Sequence, residues 1–466
     1  MSRMDVGAGS AGRFRLDAHA WVRLLLLGAC VYFAVHGVRT SLKPYGSDFT
    51  IYWKAGRAVL DGGDPYDVFG FIYLPVFAVA MVPFALLPQA AAIVAWQVAS
   101  FAALVYVLRA SVRLVEHDGT PTPRYLAWLP LLFVLRLVDS NFANGQVNLL
   151  VFAAVTMGAE SWRAAQVAHD GRVASPAHAA ASRPGVGGLA ADHAAIARRR
   201  WTLGGQWIGF AAALKIVPGF FALHALVRGA WRAAITTVAT SLVVVFLAPV
   251  PVLGWDGNVA GLRRWWHETT APYVAGGEEL LDAREYLPGQ SLTACAYRLL
   301  SKTPATSRGD EGPSAEWADL PLATTRWIVR GVQVLLLVVI VATIARSRRV
   351  ADDLAWTREF ALLTCGALLL APLVHKAHMT WLVVPVTLLV AGSPPGLGRT
   401  ARAARWTFVG LAFVMIGLTT PTLFGRHLAQ TFLSHNAIFF GLACLFAALL
   451  VDAWCVAPQG ARRSMR

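Results

Sequence analysis

The feature that most constrains this chain is the recurrence of long stretches without a single charge, such as residues 233–248 and 331–345. A helix that is apolar on every side belongs inside a large core or inside a bilayer. The composition decides between these. Of 466 residues, 56% are apolar and 14% charged, whereas soluble domains carry about 25% charged residues. That balance excludes an ordinary cytosolic enzyme, a disordered tail protein and a disulfide-stapled secreted domain. It points to an all-α polytopic membrane protein.

The net charge of +15 is not a nucleic-acid footprint, because the arginines come in short clusters between apolar runs, as they do in positive-inside loops. Candidate helices are 21–38, 91–112, 125–138, 145–160, 203–214, 217–227, 233–252, 326–345, 357–372, 378–392, 406–420 and 433–455. About twelve transmembrane helices with both termini cytoplasmic place every arginine cluster on one side. This solution requires 72–88, with Pro75, Pro83 and Pro88, to stay re-entrant or surface-lying. The first helix reads as uncleaved, since no small-residue cleavage site follows it. The rest of the single transmembrane domain, 1–466, then divides into a first external loop at 39–90, a flexible cytoplasmic insertion at 161–202 and a large external loop at 253–325. No repeat of fixed period is visible. Cys30, Cys295, Cys365, Cys444 and Cys455 form no CxxC pair, so neither a zinc site nor a disulfide framework is indicated.

Chemistry is concentrated at a few points. Asp48 follows the first apolar run and precedes Tyr52 and Trp53. A carboxylate beside aromatic rings at a membrane surface suits a general base acting on a sugar hydroxyl; a helix cap by Ser47 or Asp48 is the alternative. Lys215 stands between two half-length helices beside Pro218, and an ionisable group at membrane depth is costly and usually functional. The alternative is a lysine that snorkels from a helix end. His375, Lys376 and His378 cluster at a helix start, where they suit a phosphate. Zinc lacks an evident third ligand, so no metal site is expected. Asn144, Gln146 and Asn148 precede or open a helix, and amides there bind sugar hydroxyls or cap the helix. The Trp265-Trp266 pair reads as an interfacial anchor.

Together these elements form a longer pattern. Asp48-Phe49-x-x-Tyr52 is followed by Gly62-Gly63-Asp64-Pro65-Tyr66, Tyr73-x-Pro75 and Leu86-Leu87-Pro88. Then come Asn144-Gly145-Gln146-Val147-Asn148, Lys215-x-x-Pro218 with Arg228-x-x-Trp231-Arg232, Gln290-Ser291-Leu292, and Ala371-Pro372 with His378. In this order they resemble glycosyltransferase family 87, polyprenol-phosphate-sugar-dependent membrane enzymes of the GT-C superfamily that include α-1,2-mannosyltransferases. The resemblance covers about residues 45–385. The sequence departs from the family pattern at His375, where Trp is usual, at Ala377, where the first His of a pair is usual, and at Gly289, where Asn is usual.

The resemblance implies a GT-C-type fold that transfers a sugar, mannose first, from a polyprenyl phosphate to a lipid-anchored glycan with inversion. Asp48 would be the catalytic base. Lys215, His375, Lys376 and His378 would hold the donor phosphate or substrate. Tyr52, Asn144, Gln146, Asn148, Gln290 and Ser291 would bind the acceptor or sugar. No cofactor is expected, with a divalent metal left open. The implied partners are donor, acceptor and membrane lipids, not nucleic acid. The implied location is the plasma membrane, with the active site on the external face. A pentose donor such as polyprenyl-phosphate arabinofuranose is the nearer alternative. A lipid-linked-sugar transporter or flippase is the more distant one, for which repeats and several deep charges are the expected signs.

Overall fold

The computed structural model describes residues 17–43, 47–116, 121–174, 186–272, 289–301, 306–307, 310–311, 315–347 and 354–455. Among the described residues the fold is all-α apart from two paired two-residue strands, β1 (Thr306–Ser307) and β2 (Asp310–Glu311). Every one of the twelve expected segments is helical. In order they are α1 (Ala18–Ser41), α5 (Gln89–Val115), α6 (Leu129–Ala143), α7 (Asn148–Ala174), α8 (Val186–Leu214), α9 (Phe220–Arg228), α10 (Trp231–Phe246), α13 (Leu322–Ser347), α14 (Ala355–Leu370), α15 (Val383–Ala391), α16 (Arg399–Ala412) and α18 (Ala437–Trp454).

The expected count of twelve full spans is not reproduced. Among the described residues six helices are long and apolar enough to cross a membrane, or seven if the bent pair formed by α10 and α11 (Val250–Trp265) is one span. The chain between two ends of the bundle is often interrupted, and a broken helix falls short of the roughly 20 apolar residues of a simple span. The α10–α11 pair bends by 93°, and the bend is tied by Asn258, whose Nδ2 donates to the carbonyls of Val245 at 3.2 Å and Phe246 at 3.1 Å.

The burial pattern sorts the helices into inner and outer ones. Every residue from 355 to 369 on α14 and from 383 to 390 on α15 is buried. By contrast α1 and α13 expose apolar side chains, among them Leu25 at 70% and Val334 at 62%. Such surface is unfavourable in water and neutral against lipid tails. Where apolar burial does not drive association, close backbone approach does. Gly205 and Gly209, one turn apart on α8, sit against α10: a Cβ on Gly209 would lie 2.4 Å from the Thr237 carbonyl oxygen.

Two buried charge pairs join helices in the interior, where pairing offsets the cost of burying charge. Glu359 on α14 accepts from Arg228 at 2.7 Å through both oxygens and bonds His224 at 2.8 Å, joining α9 to α14. Arg405 on α16 meets Asp452 on α18 at 2.7 Å and also donates to the carbonyl of Leu389 at 2.7 Å.

The expected flexible insertion at 161–202 is largely helical. The helix α7 runs on to Ala174, and α8 begins at Val186; residues 175–185 lie outside the described ones. Alanine is the strongest helix former, so the Ala-rich composition extends both helices past the apolar stretch. Trp162 seals them, fully buried, with its Nε1 donating to the Trp201 carbonyl at 3.2 Å.

Outside the long helices, α2 (Asp48–Leu60) packs on two short helices, α3 (Pro75–Ala80) and α4 (Val82–Ala85). These occupy 72–88, and neither is long enough to span. The Gly62–Tyr66 motif forms a turn held by Arg264 of α11, which bonds Asp64 at 2.8 Å and Asp67 at 2.7 Å. In the large loop, α12 (Leu292–Leu300) is described, as is α17 (Pro421–Ser434) after α16; residues 273–288 of that loop are not.

If backbone contact holds α8 on α10, Gly209→Leu destabilises by about 1–3 kcal/mol through overpacking. A melting curve in detergent should show a lower Tm than wild type. Gly331→Leu on α13, with open space around the same atom, should leave Tm unchanged.

Candidate active site

Four interruptions of regular structure meet at one end of the bundle: the start of α2, the turn 144–147 between α6 and α7, the break after α8, and the segment 375–378. Each has a local cause. Ser47 is the N-cap of α2, and its N–H donates to the Thr50 hydroxyl at 3.2 Å. The capping role therefore falls to Ser47 and Thr50, and Asp48 occupies the first helical position with its carboxylate turned elsewhere. The Asp48 N–H donates to the Asn144 carbonyl at 3.0 Å. Gly145 permits this contact. Its φ is +59°, and a Cβ there would lie 2.7 Å from the Cβ of Phe49, so only glycine lets the turn lie on α2. Trp96 Nε1 holds the same turn by donating to the Gly145 carbonyl at 2.9 Å.

The break after α8 follows from Pro218, which opens a three-residue 3-10 turn, Val217–Gly219. Lys215 is thereby left at the helix end; α8 itself, at 29 residues, is not the half-length helix expected.

From these positions the side chains form one connected chain. The Asp48 carboxylate accepts a hydrogen bond from Gln146 Nε2. Gln146 Oε1 accepts from Asn148 Nδ2 at 3.4 Å and from the Tyr52 hydroxyl at 3.4 Å. Asn148 Oδ1 accepts from Lys215 Nζ at 2.6 Å. Lys215 Nζ lies 2.7 Å from His378 Nε2, and His378 Nδ1 accepts the His375 N–H at 3.1 Å. Two amides thus stand head to tail between a lysine and a carboxylate, each turning its oxygen to the cation and its N–H to the anion.

This arrangement has two chemical consequences. Asp48 lies on α2, outside the spanning helices, and burial pushes its carboxyl up to about 6, while the Gln146 hydrogen bond and the Lys215 charge restrain the rise. A carboxylate with that affinity for protons is a competent base near neutral pH. The second consequence concerns His378. With Nδ1 accepting a backbone N–H, the neutral ring carries its hydrogen on Nε2. Nε2 and Lys215 Nζ are 2.7 Å apart, so one of these two nitrogens must accept from the other. An anionic oxygen entering between them can instead accept from both the Nε2–H and the Lys215 ammonium.

The structure distributes the expected site residues unequally. Asp48, Gln146, Asn148, Lys215 and His378 belong to the cluster. His375 contributes its backbone N–H, and its ring lies edge-on to His378 at 5.6 Å. Tyr52 reaches the cluster only by its hydroxyl, since the ring is buried at 2% exposure against Phe77 and Trp96.

Four of the expected residues stand apart from this cluster. Asn144 is exposed and its side chain donates to the Ser140 carbonyl at 2.7 Å; only its backbone serves the site. Lys376 faces away from its neighbours, toward Arg136 and Asp139, because successive residues of a 3-10 turn point to different sides. Gln290 is buried with its Nε2 on the Leu433 carbonyl at 3.0 Å and its N–H on the Val374 carbonyl at 2.6 Å. Buried Ser291 caps α12, accepting from Ala294 N–H at 3.1 Å. Gln290 ties Val374, just ahead of the 375–378 segment, through its backbone, Ser291 caps α12, and neither side chain joins the cluster.

One residue went unassigned in the sequence although its motif was visible. Tyr73 has its hydroxyl 2.8 Å from that of Tyr52, and Lys215 Nζ stands 5.9 Å from its ring centre. Among the described residues no three His, Cys, Asp or Glu side chains group to hold a metal.

Comparison with known proteins places these motifs in context. The chain is 26% identical over 403 residues to a polyprenol-phosphate-mannose-dependent alpha-(1-2)-phosphatidylinositol mannoside mannosyltransferase of Mycobacterium tuberculosis, covering 81% of this chain and 77% of that one. It is 24% identical over 416 residues to the protein of the same description in Mycolicibacterium smegmatis, covering 83% and 78%. It is also 28% identical over 244 residues, 49% and 48% of the two chains, to a phosphatidylinositol pentamannoside mannosyltransferase of Mycolicibacterium smegmatis with the same donor and linkage in its name. No solved structure matches. The model of glycosyltransferase family 87 matches residues 71–168 and 186–374. Gln146, Asn148 and Lys215 fall inside the match, and Asp48 and His378 flank it. With more than half its length matched, the chain belongs to glycosyltransferase family 87.

Proposed function

We propose that this protein transfers a mannosyl unit from a polyprenyl phosphate to a phosphatidylinositol-anchored mannoside, with inversion. The observation that carries the reading is the joined set of Asp48, Gln146, Asn148, Lys215 and His378. It offers a base and a pair of phosphate-facing donors on one polar strip, and the named relatives use this donor and acceptor class.

The chemistry balances as a single displacement. An acceptor hydroxyl oxygen attacks the anomeric carbon, and its proton passes to Asp48. The bond from that carbon to the phosphate oxygen breaks, and the electron pair leaves with the polyprenyl phosphate. A β-linked donor then yields an α-linked product. Phosphate is already a good leaving group, so the need is for donors where its charge grows. Lys215 and the His378 Nε2–H meet that need, with His375 orienting the ring of His378. The step as written requires no metal ion.

The same reading places the site on the external face. Arg113, Arg200, Arg228 and Arg346 lie at or toward those ends of α5, α8, α9 and α13 that are remote from Asp48. Positive-inside sorting makes those ends, and both termini, cytoplasmic.

Transfer of label from polyprenyl-phosphate mannose to a phosphatidylinositol mannoside extract, by protein in nanodiscs, tests the proposal. Asp48→Asn keeps an acceptor for Gln146 and removes the base, so kcat should fall about 10²–10⁴-fold. Transfer only from an arabinofuranose donor, or transport of the lipid-linked sugar without transfer, overturns it.

Protonated Asp48 cannot take a proton, so the rate should fall tenfold per pH unit below about 6 and level off above it. Gln146→Leu and Lys215→Met each remove an influence that lowers the Asp48 pKa. The acid limb of the pH profile should move to higher pH in both. Lys215→Met should in addition cost about 10²–10³-fold in rate, the usual effect of losing one charge-stabilising donor.

A further inference from the structure

A cleft of about 340 Å³ opens among α5, α7 and α8, lined by Tyr106, Met157, Glu160, Ser161, Arg200 and Trp207. It is remote from the site described above. Glu160 is twelve residues beyond Asn148 on α7, about 18 Å at 1.5 Å per residue. Arg200 precedes Lys215 by a similar distance on α8. The cleft is therefore a separate feature at the basic end of the bundle.

Its polar groups divide into those already engaged and those turned to the opening. Glu160 is neutralised. Arg113 donates to its two oxygens at 2.6 and 3.1 Å, and the Tyr106 hydroxyl donates at 2.5 Å. No such partner exists among the described residues for the guanidinium of Arg200, the hydroxyl of Ser161 or the indole N–H of Trp207. The cleft therefore offers a guanidinium and an indole N–H as donors, a hydroxyl that can donate or accept, and no unpaired carboxylate. A planar guanidinium matches the paired oxygens of a phosphate.

The walls indicate where the phosphate comes from. Tyr106 and Trp207 are the residue types that sit at headgroup depth. Phe210, one turn beyond Trp207 on α8, is 41% exposed and continues the apolar face toward the bilayer centre. Arg109, Arg198 and Arg199 lie on the same helices at this end, and basic pockets between helices draw anionic headgroups.

We propose that this cleft binds the phosphodiester headgroup of an anionic phospholipid in the leaflet opposite the Asp48 site. Arg200 grips the phosphate, Ser161 and Trp207 donate to its oxygens, and the acyl chains follow the face that carries Phe210. The site is independent of the transfer reaction and does not rest on the mannosyl assignment.

The test is native mass spectrometry of the full chain released from nanodiscs of mixed phosphatidylcholine and phosphatidylglycerol. Wild type should retain phosphatidylglycerol in preference. Arg200→Gln should lower that retention about tenfold, as expected for losing one charged hydrogen-bonding partner. Arg200→Lys should recover part of it. Arg199→Gln, which does not line the cleft, should leave it unchanged. An unaltered melting temperature of Arg200→Gln shows that the variant is folded. Equal retention of the two lipids overturns the proposal. So does equal loss in Arg199→Gln, which indicates diffuse attraction only. Displacement of the lipid by inorganic phosphate also overturns it, because it marks a site for a soluble anion.

Discussion

The polar strip from Lys215 to Asp48 is the constraint around which the rest of the structure is arranged. A lone ammonium or carboxylate at this depth is expensive, and a direct ion pair would leave neither group available for chemistry. Two amides between them solve both problems. Asn148 and Gln146 present oxygen to the lysine and N–H to the carboxylate, so each charge meets a dipole of the right sign. The charges remain apart, and a carboxylate and an ammonium are held within one strip. Tyr52 supports the strip from below with a hydroxyl on Gln146.

Keeping that strip in place requires irregular backbone at four points, and a membrane protein tolerates irregular backbone only where protein or a polar cavity surrounds it. The surroundings are built accordingly. Gly145 lets the 144–147 turn lie on α2, Trp96 and Gln97 bond the carbonyls of Gly145 and Phe142, and Trp381 donates to the Asn148 carbonyl at 3.1 Å. Behind them the helices are closely packed through glycines on α7 and α8. The buried pairs Arg228–Glu359 and Arg405–Asp452 join helices far apart in sequence. The rigidity lies in the helices and the chemistry at their interruptions.

This division also separates the family motifs by role. The Gly62–Tyr66 element turns the chain and is clamped by Arg264, Gln290 bonds the carbonyls of Val374 and Leu433, and Ser291 caps α12. Only the Asp48, Gln146–Asn148, Lys215 and His378 elements place side chains on the strip. The departures at His375 and Gly289 fall together, since these two residues form a backbone bridge. The bridge uses main-chain groups and so accepts these side chains.

Much of this protein follows from its sequence alone. Uncharged apolar runs demand helices in lipid, because nothing else satisfies the backbone there. A proline three residues after a lysine marks a break, and Asp48 beside an aromatic run marks a surface carboxylate. What the sequence left open concerns direction. Asn144, Gln146 and Asn148 are equivalent amides in one short turn, and only the packing of Gly145 on α2 decides that the last two face inward. Lys376 lies between two histidines in sequence, yet the 3-10 twist turns it to Arg136 and Asp139. The insertion 161–202 carried no apolar period and is still largely helical, since alanine propagates a helix without one. Side-chain direction depends on contacts between residues distant in the chain, so the tertiary structure had to decide it.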